Sequence, residues 1–291
     1  MNNNKQLTLL CNKLLYGKKS KRKITIKRVL KWIKRKIFLL FHKCHNLYDG
    51  LGHEDILPSI DLNYKTDKKI VIYSCISGNY DSINSPMFIN ENVDYILFVD
   101  DENVPNNSYW KLKKIPEKLK KYSPSLKNRY IKMHPNELFP DYDYSIYIDG
   151  NVIITGDILP FIDTVNTKTG LAIHTHSLRN CLQDEFVECV NCSKGNKQMM
   201  KKQIKKYYDE GFPKHFGIYE CNVIFTQIGE NSKNIYEMWW NEFCDSQSNR
   251  DQFSLPYVIW KMKYKFNDVG YLGNNIYMSP YFIVLSHNLG R

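Results

Sequence analysis

The sequence predicts an α/β domain on a mostly parallel sheet with helices on both faces, preceded by a basic amphipathic N-terminal helix. Three observations carry that prediction. Apolar, β-branched runs of strand length recur between longer helical patterns, the alternation that parallel sheets require. Three of the runs end in acidic or polar clusters: Asp81 after the first, Asp100 and Asp101 after the second, Asp149 and Asn151 after the third. In open α/β sheets ligands gather beyond the carboxyl ends of strands, so three such endings at one edge describe a pocket. The third observation is that the excess positive charge is confined to the first 48 residues.

The 291-residue chain carries 41 Lys and Arg against 30 Asp and Glu, a net charge of +11. Residues 1–48 hold 14 of the basic residues and no acidic one, leaving 27 basic against 30 acidic from Asp49 onward. A body so balanced lacks the basic patch of a nucleic-acid-binding domain. With 43% hydrophobic and 14% aromatic residues it can bury a large core. The expected organisation is a basic segment and linker over residues 1–60 and one domain over residues 61–291. No window approaches the roughly 18 uncharged apolar residues of a membrane span. The apolar run at residues 37–41 is too short and too internal for a secretory signal. Eight cysteines without such a signal imply free thiols and a cytoplasmic location.

Taken in order, the elements justify themselves locally. Ile26, Val29, Leu30, Ile33, Ile37, Leu40 and Phe41 recur at three- and four-residue spacing, with Lys27, Arg28, Lys31, Lys34 and Arg35 between them. That is an amphipathic helix with a cationic face, suited to an anionic membrane surface at about 1 kcal/mol per basic residue. A disordered or partner-docking arm is the alternative reading. A linker leads into a first strand over residues 69–76, ending in Ser77-Gly78-Asn79-Tyr80-Asp81. A second strand covers residues 94–99. A helix starts at Ser123 as N-cap with Pro124 at its first position, and carries Arg129 and Lys132. The third strand delivers Asp149-Gly150-Asn151 and resumes as Val152-Ile153-Ile154. Residues 171–176 form the next strand, followed by a long polar helical stretch from about 181 to 208. Residues 221–226 return as a strand. Two helical segments carry Trp239-Trp240 and Trp260, and the apolar run at 281–285 leads into His287.

Two of these features carry chemistry. A strand ending in Asp-x-Asn can offer oxygen ligands to a hard divalent cation, with Gly150 admitting a phosphate close to the backbone. The plain alternative is an Asp-Gly turn joining two hairpin strands. Arg129 and Lys132, three apart, share a helix face and can both meet phosphates, unless with Lys127 they form a solvated basic face. Cys189-x-x-Cys192 with His174 and His176 upstream superficially suggests zinc, but a second cysteine pair is missing.

Together these pieces resemble a known set. Ile76-Ser77-Gly78-Asn79-Tyr80-Asp81, Asn128-Arg129-Tyr130-Ile131-Lys132, the run from Leu138 to Asn151, His176, Arg179-Asn180-Cys181 with Asp184-Glu185, and Arg250-Asp251-Gln252 occur in that order. The sequence is similar to GT-A, Rossmann-like nucleotide-diphospho-sugar transferases. More closely it resembles a glycosyltransferase-like domain family of bacterial polysaccharide loci and plant mucilage and cell-wall proteins. The resemblance covers residues 69–290. It implies a divalent cation, Mn or Mg, at Asp149-Gly150-Asn151, with Asn151 in place of the usual second Asp and His287 as a further ligand. It also implies a nucleotide-sugar donor and a surface-glycan acceptor of capsule or lipopolysaccharide type, handled at the inner membrane face.

Glycosyl transfer leaves negative charge on the departing diphosphate, and Arg129 and Lys132 are the expected cations there. Ser77, Gly78 and Tyr80 are expected to hold the base and ribose, with Asp100 or Asp101 accepting from a base N–H or ribose hydroxyl. On the acceptor side stand Arg179, Asp184, Glu185 and Asp251. Asp251 is the first choice as general base, and a helix N-cap is its plain alternative. Two rival functions remain: a metal-dependent nucleotidyltransferase, and a non-catalytic membrane-tethered scaffold of the same fold. The first wants a basic residue in the loop after the first strand, which residues 77–81 lack; Asn151 favours the second.

Overall fold

The computed structural model describes residues 54–192 and 194–285. The amphipathic helix expected within residues 1–48 and the ligand expected at His287 lie outside the described residues.

Strand β1 (Ile70–Ile76) is buried at every position, as a parallel strand covered on both faces must be. It pairs in parallel with β2 (Val93–Val99) on one side and β4 (Tyr144–Ile148) on the other. Beyond β2 lies β3 (Lys111–Lys114), a short lysine-rich edge strand that no apolar run announces. Such lysines keep an open edge from pairing with other chains. The remaining strands are β5 (Val152–Ile154), β6 (Leu171–Thr175), β7 (Tyr219–Gln227), β8 (Gly270–Tyr271) and β9 (Phe282–Val284). The main sheet has the order β3-β2-β1-β4-β7-β6-β8, and β7 runs antiparallel to both of its neighbours. One edge therefore gathers the ends of β1, β2, β4 and β6 with the beginning of β7. The chain moves outward from β1 to β3, then crosses back to β4, so the order switches between β1 and β4. A crevice at such a switch point is where open sheets bind ligands.

The hairpin reading of Asp149-Gly150 does not hold. The turn itself forms, with Val152 N donating to Asp149 O at 2.9 Å. The flanking strands then part, because β5 pairs with β9 in a separate two-stranded ribbon.

The α-helices are α1 (Pro124–Met133), α2 (Pro135–Leu138), α3 (Leu182–Asn191), α4 (Lys197–Asp209), α5 (Glu230–Ser246) and α6 (Asp251–Lys261). Ser123 caps α1 as expected, its hydroxyl accepting Leu126 N at 3.4 Å. The stretch expected as one long helix is two. Gly195 takes φ +71°, and a Cβ there would meet Ser248 O at 2.9 Å. Asn196 then restarts the helix by accepting Gln198 N and Met199 N. The cover of the sheet is uneven. The α-helices share one core with Tyr73, Phe98, Tyr147 and Ile224. On the opposite face Ile72, Leu97, Ile146 and Val223 pack under the β5–β9 ribbon and the 3-10 turns Leu159–Thr164 and Ile276–Met278.

The segment expected to be the end of a linker belongs to the domain. Asp55 accepts both Asn274 N and Asn275 N at 2.8 Å, and Tyr271 donates to Ile56 O. Burial pushes the Asp55 carboxyl up, but His174 and the two amides more than offset it and leave it below its ordinary value. No helix of the described residues is long and apolar enough to cross a membrane.

Candidate active site

A cleft of about 770 Å³ opens at the shared edge, lined by residues from the ends of β1, β4 and β6, the start of β7, and helices α1, α3 and α6. Its first wall is the loop after β1. Gly78 has φ +68°, and a Cβ there would lie 2.8 Å from Pro124 Cγ, so only glycine lets this loop pack on the start of α1. Asp100 fastens the loop: its carboxylate accepts Ser77 Oγ at 2.9 Å and Gly78 N at 2.6 Å, and pairs with Lys127 at 2.8 Å. Ser77 and Tyr80 line the cleft; Asp100 and Asp101 do not. Asp100 thus holds the loop in place. Asp101 accepts Asn103 N at 3.0 Å and starts a turn.

Helix α1 brings Arg129 and Lys132 inward, so they are not a solvated face. Lys132 is 1% exposed, with Nζ 2.7 Å from Asp251 Oδ2 and 3.7 Å from Asp149 Oδ1, and it lies over the Tyr147 ring. Arg129 Nε is 3.0 Å from the same Asp251 oxygen, while its side chain keeps 21% exposure and lines the cleft. Asp251 is the first residue of α6 rather than its N-cap, which is Arg250. Burial alone would raise the Asp251 carboxyl, but Arg129 and Lys132 overcome it and hold it well below the usual carboxylate range. A carboxylate so neutralised is a poor proton acceptor. This geometry disfavours the general-base role expected of Asp251 and makes it the anchor of two cations.

At the end of β4, Asp149 accepts the Tyr147 hydroxyl at 2.8 Å and keeps 27% exposure. Asn151 is tied twice to the chain beyond β9: its carbonyl accepts Leu285 N at 2.8 Å and its amide donates to Leu285 O at 2.6 Å. Only Nδ2 can donate to a carbonyl, so Oδ1 is left for another partner. Among the described residues no three His, Cys, Asp or Glu side chains converge as a metal-binding group. The donors present, one carboxylate and one amide oxygen, fit a hard cation that takes its remaining ligands from substrate phosphates and water. The cysteines of the Cys189-x-x-Cys192 pattern are engaged separately: Cys189 donates to Glu185, Cys192 to Glu188, and Cys181 meets Tyr208.

The far wall is a second ionic network. Burial would raise the Glu185 carboxyl, but His176 at 3.3 Å, Arg179 Nε at 2.7 Å and Arg250 at 3.2 Å hold it well below the usual range. Arg179 and Glu185 line the cleft, whereas Asp184, one residue earlier on α3, does not. His176, Arg250, Gln252, Asn222 and Glu220 line the cleft as well. Glu220 was not among the expected site residues. Its signal was a lone acid at the head of an apolar strand, at a position that becomes relevant only because β7 is reversed.

Sheet order, one reversed strand and an ionised cleft at the switch point define an α/β domain of glycosyltransferase type. The chain matches the TOD1/MUCI70 glycosyltransferase-like domain family over residues 41–272 and belongs to that family. No curated protein is significantly similar in sequence. Among solved structures, the bifunctional glycosyltransferase WbbM in its apo form is 12% identical, with TM-score 0.45, covering 72% of this chain and 40% of its own. The chain therefore spans well under half the length of that protein. A complex of the galactosyltransferase LgtC with donor and acceptor sugar analogues is 13% identical, with TM-score 0.39, covering 69% and 72%. Likeness at that level is one of general shape.

Proposed function

We propose that this domain transfers a sugar from a nucleotide-diphosphate donor to a hydroxyl of a surface glycan of capsule or lipopolysaccharide type. The observation that carries the reading is the convergence of Arg129, Lys132, Asp149 and Asp251 in one cleft at the sheet's switch point. When the C1–O bond breaks, negative charge grows on the departing diphosphate, and a preorganised cation in a water-poor cleft stabilises it. Arg129, the more exposed of the pair, is the phosphate contact. Lys132 stands behind it and, with Asp251, keeps the guanidinium in place. Ser77 and Tyr80 offer a wall for the base and ribose. Asp149 and Oδ1 of Asn151 would hold a divalent cation, which when bound supplies further charge neutralisation at the diphosphate. The cationic N-terminal segment would keep the domain at an anionic membrane surface on the cytoplasmic side.

The test is a thermal-shift panel of UDP- and GDP-sugars with and without Mn²⁺. A ligand at 100 times its Kd stabilises the folded state by about 2.7 kcal/mol. A donor-specific shift, lost in Arg129→Ala, is expected. A wild-type protein that no member of the panel stabilises refutes the reading. Donor binding without any sugar transfer would instead favour the non-catalytic scaffold.

A further inference from the structure

Glu220 sits in the cleft outside the two ion-pair networks described above. Asp251 is paired with Arg129 and Lys132, and Glu185 with Arg179, Arg250 and His176. Asp149 faces Lys132 and the Tyr147 hydroxyl. Glu220 is 9% exposed at the side chain, and among the described residues no Lys or Arg pairs with it. Its partners are the ring of His176, with Nε2 3.4 Å from Oε1, and the amide of Gln252, which donates to Oε2 at 3.2 Å.

The His176 ring is held by the backbone on one side and by charged groups on the other. Its Nδ1 lies 3.0 Å from Leu178 N and 3.2 Å from Arg179 N, both of which donate to it. On the other side of the ring, Nε2 lies 3.0 Å from Arg179 Nη2, 3.3 Å from Glu185 Oε2 and 3.4 Å from Glu220 Oε1. The His176 ring and the Gln252 amide thus fix the position of the Glu220 carboxylate. Two residues along the same strand, on the same face, Asn222 Oδ1 is buried, lines the cleft and has no hydrogen-bond partner. Two acceptors side by side, one charged and one orphaned, suit a ligand rich in hydroxyl donors.

We infer that Glu220 is the general base toward the acceptor hydroxyl, with Asn222 receiving a second hydroxyl of the same sugar; this rests on the glycosyl-transfer reading above. The acceptor oxygen bonds to C1 of the donor sugar as its proton passes to the Glu220 carboxylate. The C1–O bond to phosphate breaks, and its electron pair leaves with the nucleoside diphosphate. Direct displacement of this kind inverts the anomeric centre. His176 and Gln252 are positioning residues that aim the carboxylate.

The experiment measures nucleoside diphosphate release from UDP- and GDP-hexoses by the full chain, with water and then azide as acceptor. Azide needs no deprotonation, so it bypasses a general base. Glu220→Gln should lower release into water by about 10²- to 10⁴-fold, leave donor Kd within about twofold, and recover with azide as a glycosyl azide of inverted configuration. Glu220→Asp, which keeps the charge but withdraws it by one methylene, should show the same pattern at a folding temperature close to wild type. Asp251→Asn should not recover, because it loosens Arg129 and Lys132 instead. Unchanged release in Glu220→Gln, a loss that azide leaves untouched, or a retained configuration overturns the inference while the transfer reading stands. A wild-type protein that neither binds nor turns over any donor, with azide present or absent, overturns both.

Discussion

Lys132→Met is the sharpest probe of the cleft's ionic centre. The lysine is 1% exposed and its Nζ is 2.7 Å from Asp251 Oδ2, so methionine refills the stem and removes only the charge. Removing one partner of a buried pair costs about 3–5 kcal/mol, because the other charge is left uncompensated. Arg129 remains 3.0 Å from the same oxygen, which places the expected loss near the lower end, about 3 kcal/mol. For a domain of this size that corresponds to a fall in Tm of about 6–12 °C. Urea unfolding and a thermal scan of the variant beside wild type measure it. Asp251→Asn in the Lys132→Met background should then cost less than it does alone, since the two share one interaction. A Lys132→Met protein within about 1 kcal/mol of wild type would mean that the ammonium is solvated and that the cleft has no buried ionic centre.

Four further outcomes are expected. Asn151→Asp should destabilise the protein by about 1–3 kcal/mol by setting a carboxylate against Leu285 O; a gain in Mn²⁺ affinity without that loss would show that the amide bond to Leu285 is dispensable. Gly78→Ala, with φ +68° and Pro124 Cγ at 2.8 Å from the new methyl, should lower stability by about 1–2 kcal/mol and raise the donor KM, both readable in one preparation. Asp251 and Glu185 have folded pKa values below their unfolded ones. Their contribution is therefore complete above about pH 5 and lost as pH falls through the folded values, so Asp251→Asn should flatten the acid limb of a stability-versus-pH curve. Removing residues 1–48 should release the protein from anionic vesicles, as should raised salt, and cosedimentation insensitive to both would exclude the membrane-surface role.

Much of the fold was legible because buried parallel strands must be continuous apolar runs, and β1, β2, β4 and β6 are. The strands that escaped notice, β3 and β8, carry no such run: one is a lysine-rich edge, the other two residues long. The break between α3 and α4 was written in Gly195-Asn196, but helical spacing on both sides concealed it. At the site, Arg129, Lys132, Asp149 and Asn151 were visible as polar residues at strand and helix positions facing the carboxyl edge. That Asp100 fastens the loop after β1 and that Asp184 stands back from the cleft was not legible, because spacing locates a residue near an edge without saying which neighbour holds its side chain. Glu220 was overlooked for a topological reason. Parallel strands deliver their ends to the cleft, whereas the reversed β7 delivers its beginning.

The β5–β9 ribbon has a consequence for how the protein is made. Residues 152–154 pair with residues 282–284, and Asn151 is closed on both sides only by Leu285. The wall of the cleft beside Asp149 thus waits for a contact about 130 residues downstream, a costly closure that favours late formation. During synthesis the main sheet can assemble while β5 is still an unpaired edge beside the future cleft. That interval exposes Val152, Ile153 and Ile154 to other chains, as exposed apolar edges tend to be. The ribbon is therefore a checkpoint of completeness: a chain stopped short of β9 would have a sheet and a core, but an unfinished cleft and a sticky edge.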